Sequence, residues 1–262
     1  MTVMTKQHGM AAMIMTDDGA GATATGFPPD GRIFPVERAV FSVLPDPHPL
    51  IAANEDAIAE NWEREIAANP SLYNGELVFQ RRLSLRDGVL EAEGHLVPYA
   101  FHLWWRRLDP RHGGFHSFAW AVPVSSDGAI IAIRMGAQTA NPGRVYCAAG
   151  SLEKVDIVDG VVDIEGNMLR ELKEETGLDG QEAMPDVISY GVMTDSVLLV
   201  FRIYRFGQTA DELLASIQDH MQRDHEKEIE SALAIRDADP NAHNYVPNMK
   251  LILPFVLGQN RD

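Results

Sequence analysis

The sequence contains a single cysteine, Cys147, among 262 residues. An internal disulfide is therefore excluded, and with it the class of small secreted domains that disulfides hold together. A chain of this kind suits a reducing compartment, so we expect a cytoplasmic protein. No apolar run approaches the roughly 20 residues that a membrane-spanning helix requires, so no such helix is expected.

Basic residues are scarce as well. The chain has 22 Lys and Arg against 38 Asp and Glu, which gives a formal net charge of −16. Such a surface repels nucleic-acid backbones and anionic membranes, so we expect neither a nucleic-acid polymer nor a membrane as a partner. An anionic small molecule remains a possible ligand, but it would need local cations or a metal ion.

Several catalytic signatures are missing. The sequence has no Walker-type lysine loop, no glycine-rich dinucleotide fingerprint and no Gly-x-Ser-x-Gly elbow. The nine histidines show no metal-binding pattern. His112 and His116 are four residues apart, but the two glycines between them argue against a helix that presents both side chains. Cys147 lies in an apolar segment and is expected to be a buried, inert thiol.

Apolar residues make up 45% of the chain, enough for a large core. Changes in composition along the sequence divide the chain into three parts. Residues 1–30, rich in Gly, Ala, Thr and Pro, are expected to be a weakly ordered leader. Residues 31–110 are interpreted as an α+β extension, and residues 111–262 as a second domain. Strands and helices that do not strictly alternate predict an α+β class, with a mixed sheet between helices.

Hydrophobic periodicity predicts the individual elements. In the extension they are a strand at 32–44, a helix at 50–68, a hairpin around Arg86-Asp87-Gly88 and a helix at 97–108. In the second domain the strands are expected at 118–124, 129–135, 143–150, 187–193, 197–206 and 228–235. Its helices are expected at 164–176, 209–224 and 246–258.

Residues 170–178, "RELKEETGL", place three glutamates on one helix. Residues three and four apart share a helix face, so Glu171, Glu174 and Glu175 form an acidic ridge. Asp163 is positioned to cap the start of this helix, and Gly177 lies just past its end.

Clustered like charges destabilise a helix by about 0.2–0.5 kcal/mol per pair. Arg170 is expected to pair with one glutamate and not with all three. A divalent cation would offset the repulsion, because Mg²⁺ prefers oxygen ligands and binds substrate phosphates. The alternative interpretation is a glutamate-rich helix end exposed to water.

The string "RELKEETGL" resembles the second half of the Nudix box at every fixed position: Arg-Glu-apolar-x-Glu-Glu-x-Gly-apolar. Similarity to the Nudix hydrolase superfamily implies an α/β/α sandwich, Mg²⁺ or Mn²⁺ as cofactor, and hydrolysis of a nucleoside diphosphate linked to another group. It implies that Glu171, Glu174 and Glu175 hold the metal and that Arg170 orients them.

The first half of the box departs from the family pattern. Asp156 and Val162 stand where the family has a glycine and a glutamate. The segment 148–153, "AAGSLE", resembles the usual opening of the box better. This alignment implies that Glu153 lies beside the metal. It also implies an insertion of about six residues in the loop before the helix, a length that loops tolerate. The missing glutamate is then supplied by a nearby aspartate or by nothing.

The general base and the substrate contacts are less defined. Glu153 is one candidate base, and Glu226 in the charged run "HEKEIE" is another, although such runs are usually solvated. Gln138 and Arg144 belong to the loop "QTANPGR" and are candidates for substrate binding. Turn chemistry alone also accounts for the Asn-Pro-Gly in that loop.

Residues 69–106 resemble a Nudix branch that includes UDP-glucose and UDP-galactose pyrophosphatases, through an Asn-Pro-x-Leu-aromatic-Asn-Gly run followed by a hairpin and a helix. This resemblance implies a UDP-sugar as substrate, and members of the superfamily often pair as homodimers. The alternative function is a Nudix-fold module that binds nucleotides without hydrolysing them.

Overall fold

The computed structural model of the protein describes residues 14–17, 21–224 and 227–259. These residues form fifteen strands: β1 (Ile14–Asp17), β2 (Thr23–Phe27), β3 (Phe34–Val36), β4 (Arg38–Leu44), β5 (Glu76–Arg86), β6 (Val89–Pro98), β7 (Phe115–Val124), β8 (Ile130–Met135), β9 (Val145–Tyr146), β10 (Ile157–Val158), β11 (Val161–Val162), β12 (Met184–Pro185), β13 (Ser189–Thr194), β14 (Val197–Arg205) and β15 (Ile229–Ile235). They also form six α-helices: α1 (Pro49–Ala53), α2 (Glu55–Ala68), α3 (Tyr99–Trp105), α4 (Ile164–Thr176), α5 (Ala210–Arg223) and α6 (Pro247–Gln259).

The strands form one mixed sheet. Its main path runs β10-β11-β4-β6-β5-β7-β14-β13-β3, and β8 connects β7 to β9 and β15. Along the main path β7 and β14 are parallel, as are β4 and β6, and the other pairs are antiparallel. The predicted α+β class with a mixed sheet and helices is confirmed.

Strand β7 lies at the centre of this sheet, between β5 and β14. Its sequence, FHSFAWAVPV, is apolar at almost every position, as a strand covered on both faces requires. Helix α4 packs against β7, and Ser151, which lies upstream of β10, pairs with Phe118 of the same strand. The centre of the sheet therefore positions both parts of the acidic motif.

Two of the predicted elements are each divided into two. The strand expected at 32–44 is two strands, because the chain turns where Glu37 N–H and Arg38 N–H both donate to the Gly88 carbonyl. As a result β3 pairs with β13 and β4 pairs with β6, in distant parts of the sheet. The helix expected at 50–68 is divided at Asn54, which caps α1 and precedes α2.

The N-terminal leader was expected to be weakly ordered, but part of it belongs to the sheet. Strand β2 pairs with β5 in parallel, and its Ala24 and Phe27 are buried. Residues 1–13 and 18–20 lie outside the described residues. The division at residue 110 stays a prediction, although one sheet contains strands from both sides of it.

Two groups of buried apolar side chains stabilise the fold. The larger lies around β7, β8 and β14 with α4, α5 and α6. The smaller joins α2 and α3 to β5 and β6 and includes Phe79, Phe101 and Trp105. No helix in the described ranges is long and apolar enough to span a bilayer.

Candidate functional site

Helix α4 carries the acidic ridge, and both of its ends are capped as predicted. The Asp163 side chain accepts a hydrogen bond from Gly166 N–H at 2.9 Å, which satisfies one of the free donors at the helix start. Gly177 ends the helix with a φ of 72°, a conformation that glycine adopts with little cost. Met168 and Leu172 are buried and belong to the larger core, so the orientation of α4 is fixed.

Arg170 lies at the centre of the acidic residues. Its guanidinium is 2.8 Å from Glu171 Oε1, 2.8 Å from Glu174 Oε2 and 3.1 Å from Asp156 Oδ1. Arg170 therefore pairs with two of the three glutamates, one more than expected, and the structure gives it no pair with Glu175. Arg170 therefore offsets part of the repulsion along the ridge.

Asp156 connects the loop to the helix. Its side chain is buried and accepts hydrogen bonds from Glu153 N–H at 2.8 Å and from Asn167 Nδ2 at 2.9 Å, besides those from Arg170. Asn167 Nδ2 also donates to the Ser151 carbonyl at 3.1 Å. Asp156 thus fixes the loop against the start of α4.

Glu171 and Glu175 are buried, with 9% and 6% of their surface exposed. Burial raises the pKa of Glu171 to about 7 against the opposing effect of Arg170, and Glu174 raises it further. Burial also raises the pKa of Glu175 well above its usual range, although Ala149 N–H donates to its Oε2 at 2.8 Å. A cation bound next to these two carboxylates would favour their ionised forms, which burial disfavours.

Gly150 lies directly against Glu171. A Cβ at this position would be 2.1 Å from Glu171 Oε1, so only glycine leaves the carboxylate room. The segment 149–151 therefore contacts both buried glutamates.

Glu174 and Glu153 are the exposed members of the set. Partial shielding from water raises the pKa of Glu153, and Asp156 raises it further against the opposing effect of Arg170. Glu153 also lines a small cavity of about 210 Å³ together with Tyr73 and Tyr99. A carboxyl group with a raised pKa beside a cavity is suited to accept a proton.

A cleft of about 580 Å³ opens beside the segment 149–151. Its floor is one face of β7, where His116, Phe118 and Trp120 alternate with residues of the other face. Since Ser151 pairs with Phe118, the loop reaches the middle of this face. The volume lies in the range of small-molecule sites in proteins, about 300–1,000 Å³.

The two ends of the cleft differ in chemistry. Beyond Trp120 one end is lined by Asn141, Arg144 and Tyr146. The Tyr146 ring stacks on Trp120 with centroids 6.1 Å apart. The other end, beyond His116, is lined by Tyr99, His102, Arg106 and Arg111.

The predicted substrate-binding and base residues have different places. Arg144 lines the cleft and donates to Asn244 Oδ1 at 2.9 Å. Gln138 is exposed and is not among the residues that line the cleft, and its carbonyl accepts from Asn69 Nδ2. Glu226 lies outside the described residues. The roles proposed for all three stay predictions.

Sequence reasoning missed the histidine and arginine end of the cleft. His102 is on α3, His116 is on β7, and Arg106 and Arg111 lie between them in the chain. They come together only because β7 pairs beside β5 and brings its start under α3. The segment "HLWWRRLDPRHGGFH" contains all four residues, but it spans the end of the helix predicted at 97–108 and the division predicted at residue 110.

The donor set of α4 fits a divalent cation in its chemistry. Carboxylate oxygens are the ligands that Mg²⁺ and Mn²⁺ prefer, and burial, the largest cause of the raised pKa of Glu171 and of Glu175, removes the water that would otherwise stabilise their charge. In the part of the chain that the structure describes, no three acidic, histidine or cysteine side chains converge as a ready metal cage. A metal would compete with the Arg170 guanidinium for Glu171 and Glu174.

No family model and no curated protein matches the chain. Among solved structures, the MutT protein from Methanosarcina mazei Go1 is 12% identical, with a TM-score of 0.39 over 56% of this chain and 96% of that one. The Nudix hydrolase RenU from M. smegmatis is 6% identical, with a TM-score of 0.36 over 56% and 84%. The E. coli ORF135 protein is 17% identical, with a TM-score of 0.34 over 56% and 94%. Likenesses this low carry no argument about the fold or function of this chain.

Proposed function

We propose that this protein is a Nudix-type hydrolase that cleaves the diphosphate of a nucleoside diphosphate derivative. One observation carries the proposal: two buried glutamates of the "RELKEETGL" helix lie against the segment 149–151, beside a cleft of about 580 Å³. Burying carboxylates costs free energy, so a helix end that is simply exposed to water would not bury Glu171 and Glu175 against a segment that lines such a cleft.

Glu171, Glu174 and Glu175 are the residues that would hold Mg²⁺ or Mn²⁺. Such a cation neutralises the charge of a bound diphosphate and the charge that develops during its hydrolysis. Arg170 keeps Glu171 and Glu174 in place through its charge-assisted hydrogen bonds. The Nudix resemblance also implies a catalytic role for Arg170, Glu174, Glu175 and Glu153.

Hydrolysis adds one water molecule across the phosphoric anhydride. The water oxygen bonds to one phosphorus, the bridging P–O bond breaks, and a base takes the proton of the water. Glu153 is suited to that step because its pKa is raised while its carboxyl remains accessible from the cavity beside Tyr99. Glu226 is the second candidate base, and Arg144 is positioned to contact the substrate in the cleft.

The proposal is tested with a panel of nucleotide-sugars, dinucleotides, ADP-ribose and coenzyme A, each incubated with Mg²⁺ and with EDTA. We expect phosphate-containing products from at least one compound with Mg²⁺ and none with EDTA. UDP-glucose belongs in the panel because the upstream resemblance implies a UDP-sugar. Turnover that persists in EDTA would contradict the metal-dependent assignment.

A second function is favoured by two observations. Arg170 already pairs with Glu171 and Glu174, and Val162 stands where the family has a further glutamate. A nucleotide-binding module without hydrolytic activity is consistent with both facts. Thermal unfolding with nucleotides, with and without Mg²⁺, separates the two: stabilisation without any product supports the binding module.

A further inference from the structure

We infer that the cleft binds a phosphate group of the ligand besides its diphosphate, at a subsite formed by Arg106, Arg111, His102 and His116. This inference rests on the proposed function for the class of ligand. The ligand would then be a nucleoside diphosphate derivative that carries an additional phosphate monoester, with the diphosphate at the segment 149–151.

The subsite lies to one side of the acidic helix. His116 precedes Phe118 by two positions on β7, a separation of about 6–7 Å along the strand. Because Ser151 pairs with Phe118, the His116 ring is offset from the segment 149–151 by that step. His102 packs against His116 with ring centroids 4.2 Å apart. A group bound here is one that extends from the diphosphate, not the diphosphate itself.

Positive charge is concentrated at the cleft, although the chain as a whole is strongly acidic. The lining includes Arg106, Arg111 and Arg144, and the carboxylate among its residues is that of Asp195. Asp195 pairs with Arg111 at 2.8 Å, so Arg106 and Arg144 remain without an acidic partner among the described residues. In a protein with a net charge of −16, this local surplus favours an anionic ligand.

Arg106 differs from its neighbour Arg107. Arg107 forms a close, charge-assisted pair with Glu65 at 2.5 Å, whereas Arg106 is exposed and makes no ion pair in the described part of the chain. Arg106 and Arg111 are both close enough to His102 and His116 to lower the pKa of each histidine. An unpaired guanidinium at the wall of a cleft is available to form a fork of hydrogen bonds with a phosphate.

The two histidines complete the subsite as neutral groups. Burial, then the charges of Arg106 and Arg111, lower the pKa of His116 to about 3, and burial lowers that of His102 as well. A neutral imidazole donates a hydrogen bond without adding repulsion between the arginines. The Nδ1 atoms of both rings are buried without a hydrogen-bond partner in the described residues, so the protein itself does not use this polar capacity.

Calorimetric titrations of the full chain in EDTA test the subsite with two pairs of compounds that differ by one phosphate monoester. The pairs are coenzyme A with 3′-dephospho-coenzyme A, and NADP⁺ with NAD⁺. We expect the phosphorylated member of at least one pair to bind about ten- to a hundredfold more tightly, the usual effect of charge-assisted hydrogen bonds. Arg106→Gln should reduce that ratio to near one, while Arg107→Gln, the matched control, should leave it unchanged.

Equal affinities within both pairs, no binding of any of the four compounds, or a ratio that survives Arg106→Gln would overturn the inference. Hydrolysis of the same compounds with Mg²⁺ separates it from the proposed function. A preference for the phosphorylated compounds without hydrolysis would support the subsite and refute the proposed hydrolase activity. Hydrolysis without such a preference would support the hydrolase activity and refute the subsite. Thermal unfolding of both variants should match the wild type, because neither arginine is buried.

Discussion

Replacing Gly150 by alanine tests whether the segment 149–151 positions the buried carboxylate of Glu171. The added Cβ would be 2.1 Å from Glu171 Oε1 and 2.2 Å from its Cδ, whereas ordinary contacts begin at 3.4 Å. The carboxylate must therefore move by roughly 1 Å or more, and a displacement of that size in a catalytic constellation costs on the order of 100-fold in rate. The backbone of Gly150 has no positive φ, so alanine should not strain the chain itself.

The assay measures kcat/KM with Mg²⁺ on the best substrate of the panel, together with Mn²⁺ affinity and the melting temperature. We expect Gly150→Ala to lower kcat/KM by about 100-fold and to weaken Mn²⁺ binding, because both depend on the position of Glu171. Gly207→Ala is the matched control, since a Cβ there would meet nothing within 4 Å. Full activity and unchanged Mn²⁺ affinity in Gly150→Ala would refute the role given to this contact.

Two further predictions concern the charges around the site, and a third concerns His48, which packs against Phe79 away from the site. Glu174→Gln should lower kcat by about 100-fold or more without unfolding the protein, because Glu174 is exposed and its loss removes a metal ligand; Glu63→Gln, another exposed helical glutamate, should have no effect. Asp156→Ala should lower the free energy of unfolding in urea by about 3 kcal/mol, since it leaves Arg170 and two further donors without their buried partner, and a loss below 1 kcal/mol would contradict this. Burial, the largest cause, and the nearby His95 lower the pKa of His48 from 6.5 to about 4, so the unfolded chain binds a proton that the folded chain does not. The contribution of His48 to the free energy of unfolding is therefore complete above pH 6.5 and is lost as the pH falls toward 4, about 3 kcal/mol in total. In urea unfolding, His48→Asn should lose correspondingly less stability over this pH range than the wild type. The same pH dependence in both proteins would contradict the assignment.

The ends of helix α4 were predictable from the sequence because they depend on local interactions. Asp163 and Gly177 have side-chain and backbone properties that few other residues share at helix ends, and the structure confirms both caps. The central strand β7 was predictable for a similar reason, since a run of buried apolar residues is visible without knowledge of its partners.

Long-range pairing was not predictable. Residues 32–44 alternate like one strand, yet the two halves pair with different neighbours, and periodicity carries no information about partners. The segment before α4, which was expected to be a loop insertion, forms the β10–β11 hairpin and pairs with β4 at Ser42. Its Asp156 meets Arg170 fourteen residues away, a contact that depends on the path of the whole hairpin.

The acidic ridge was only partly predictable. Helical spacing correctly placed Glu171, Glu174 and Glu175 on one helix, but spacing alone does not tell that two of them are buried and one is exposed. That difference arises from Gly150 and Ala149, which approach the helix through the pairing of Ser151 with β7. Burial of part of the ridge is also what raises the pKa of Glu171.

The proposed metal site is tested most directly by the anomalous diffraction of a crystal soaked in Mn²⁺. We expect a manganese peak within about 2.0–2.6 Å of carboxylate oxygens from at least two of Glu171, Glu174 and Glu175. We also expect that Arg170 no longer contacts both Glu171 and Glu174 in that crystal. The metal site would be refuted if a crystal of protein active with Mn²⁺ held the metal elsewhere and left the three glutamates paired as they are.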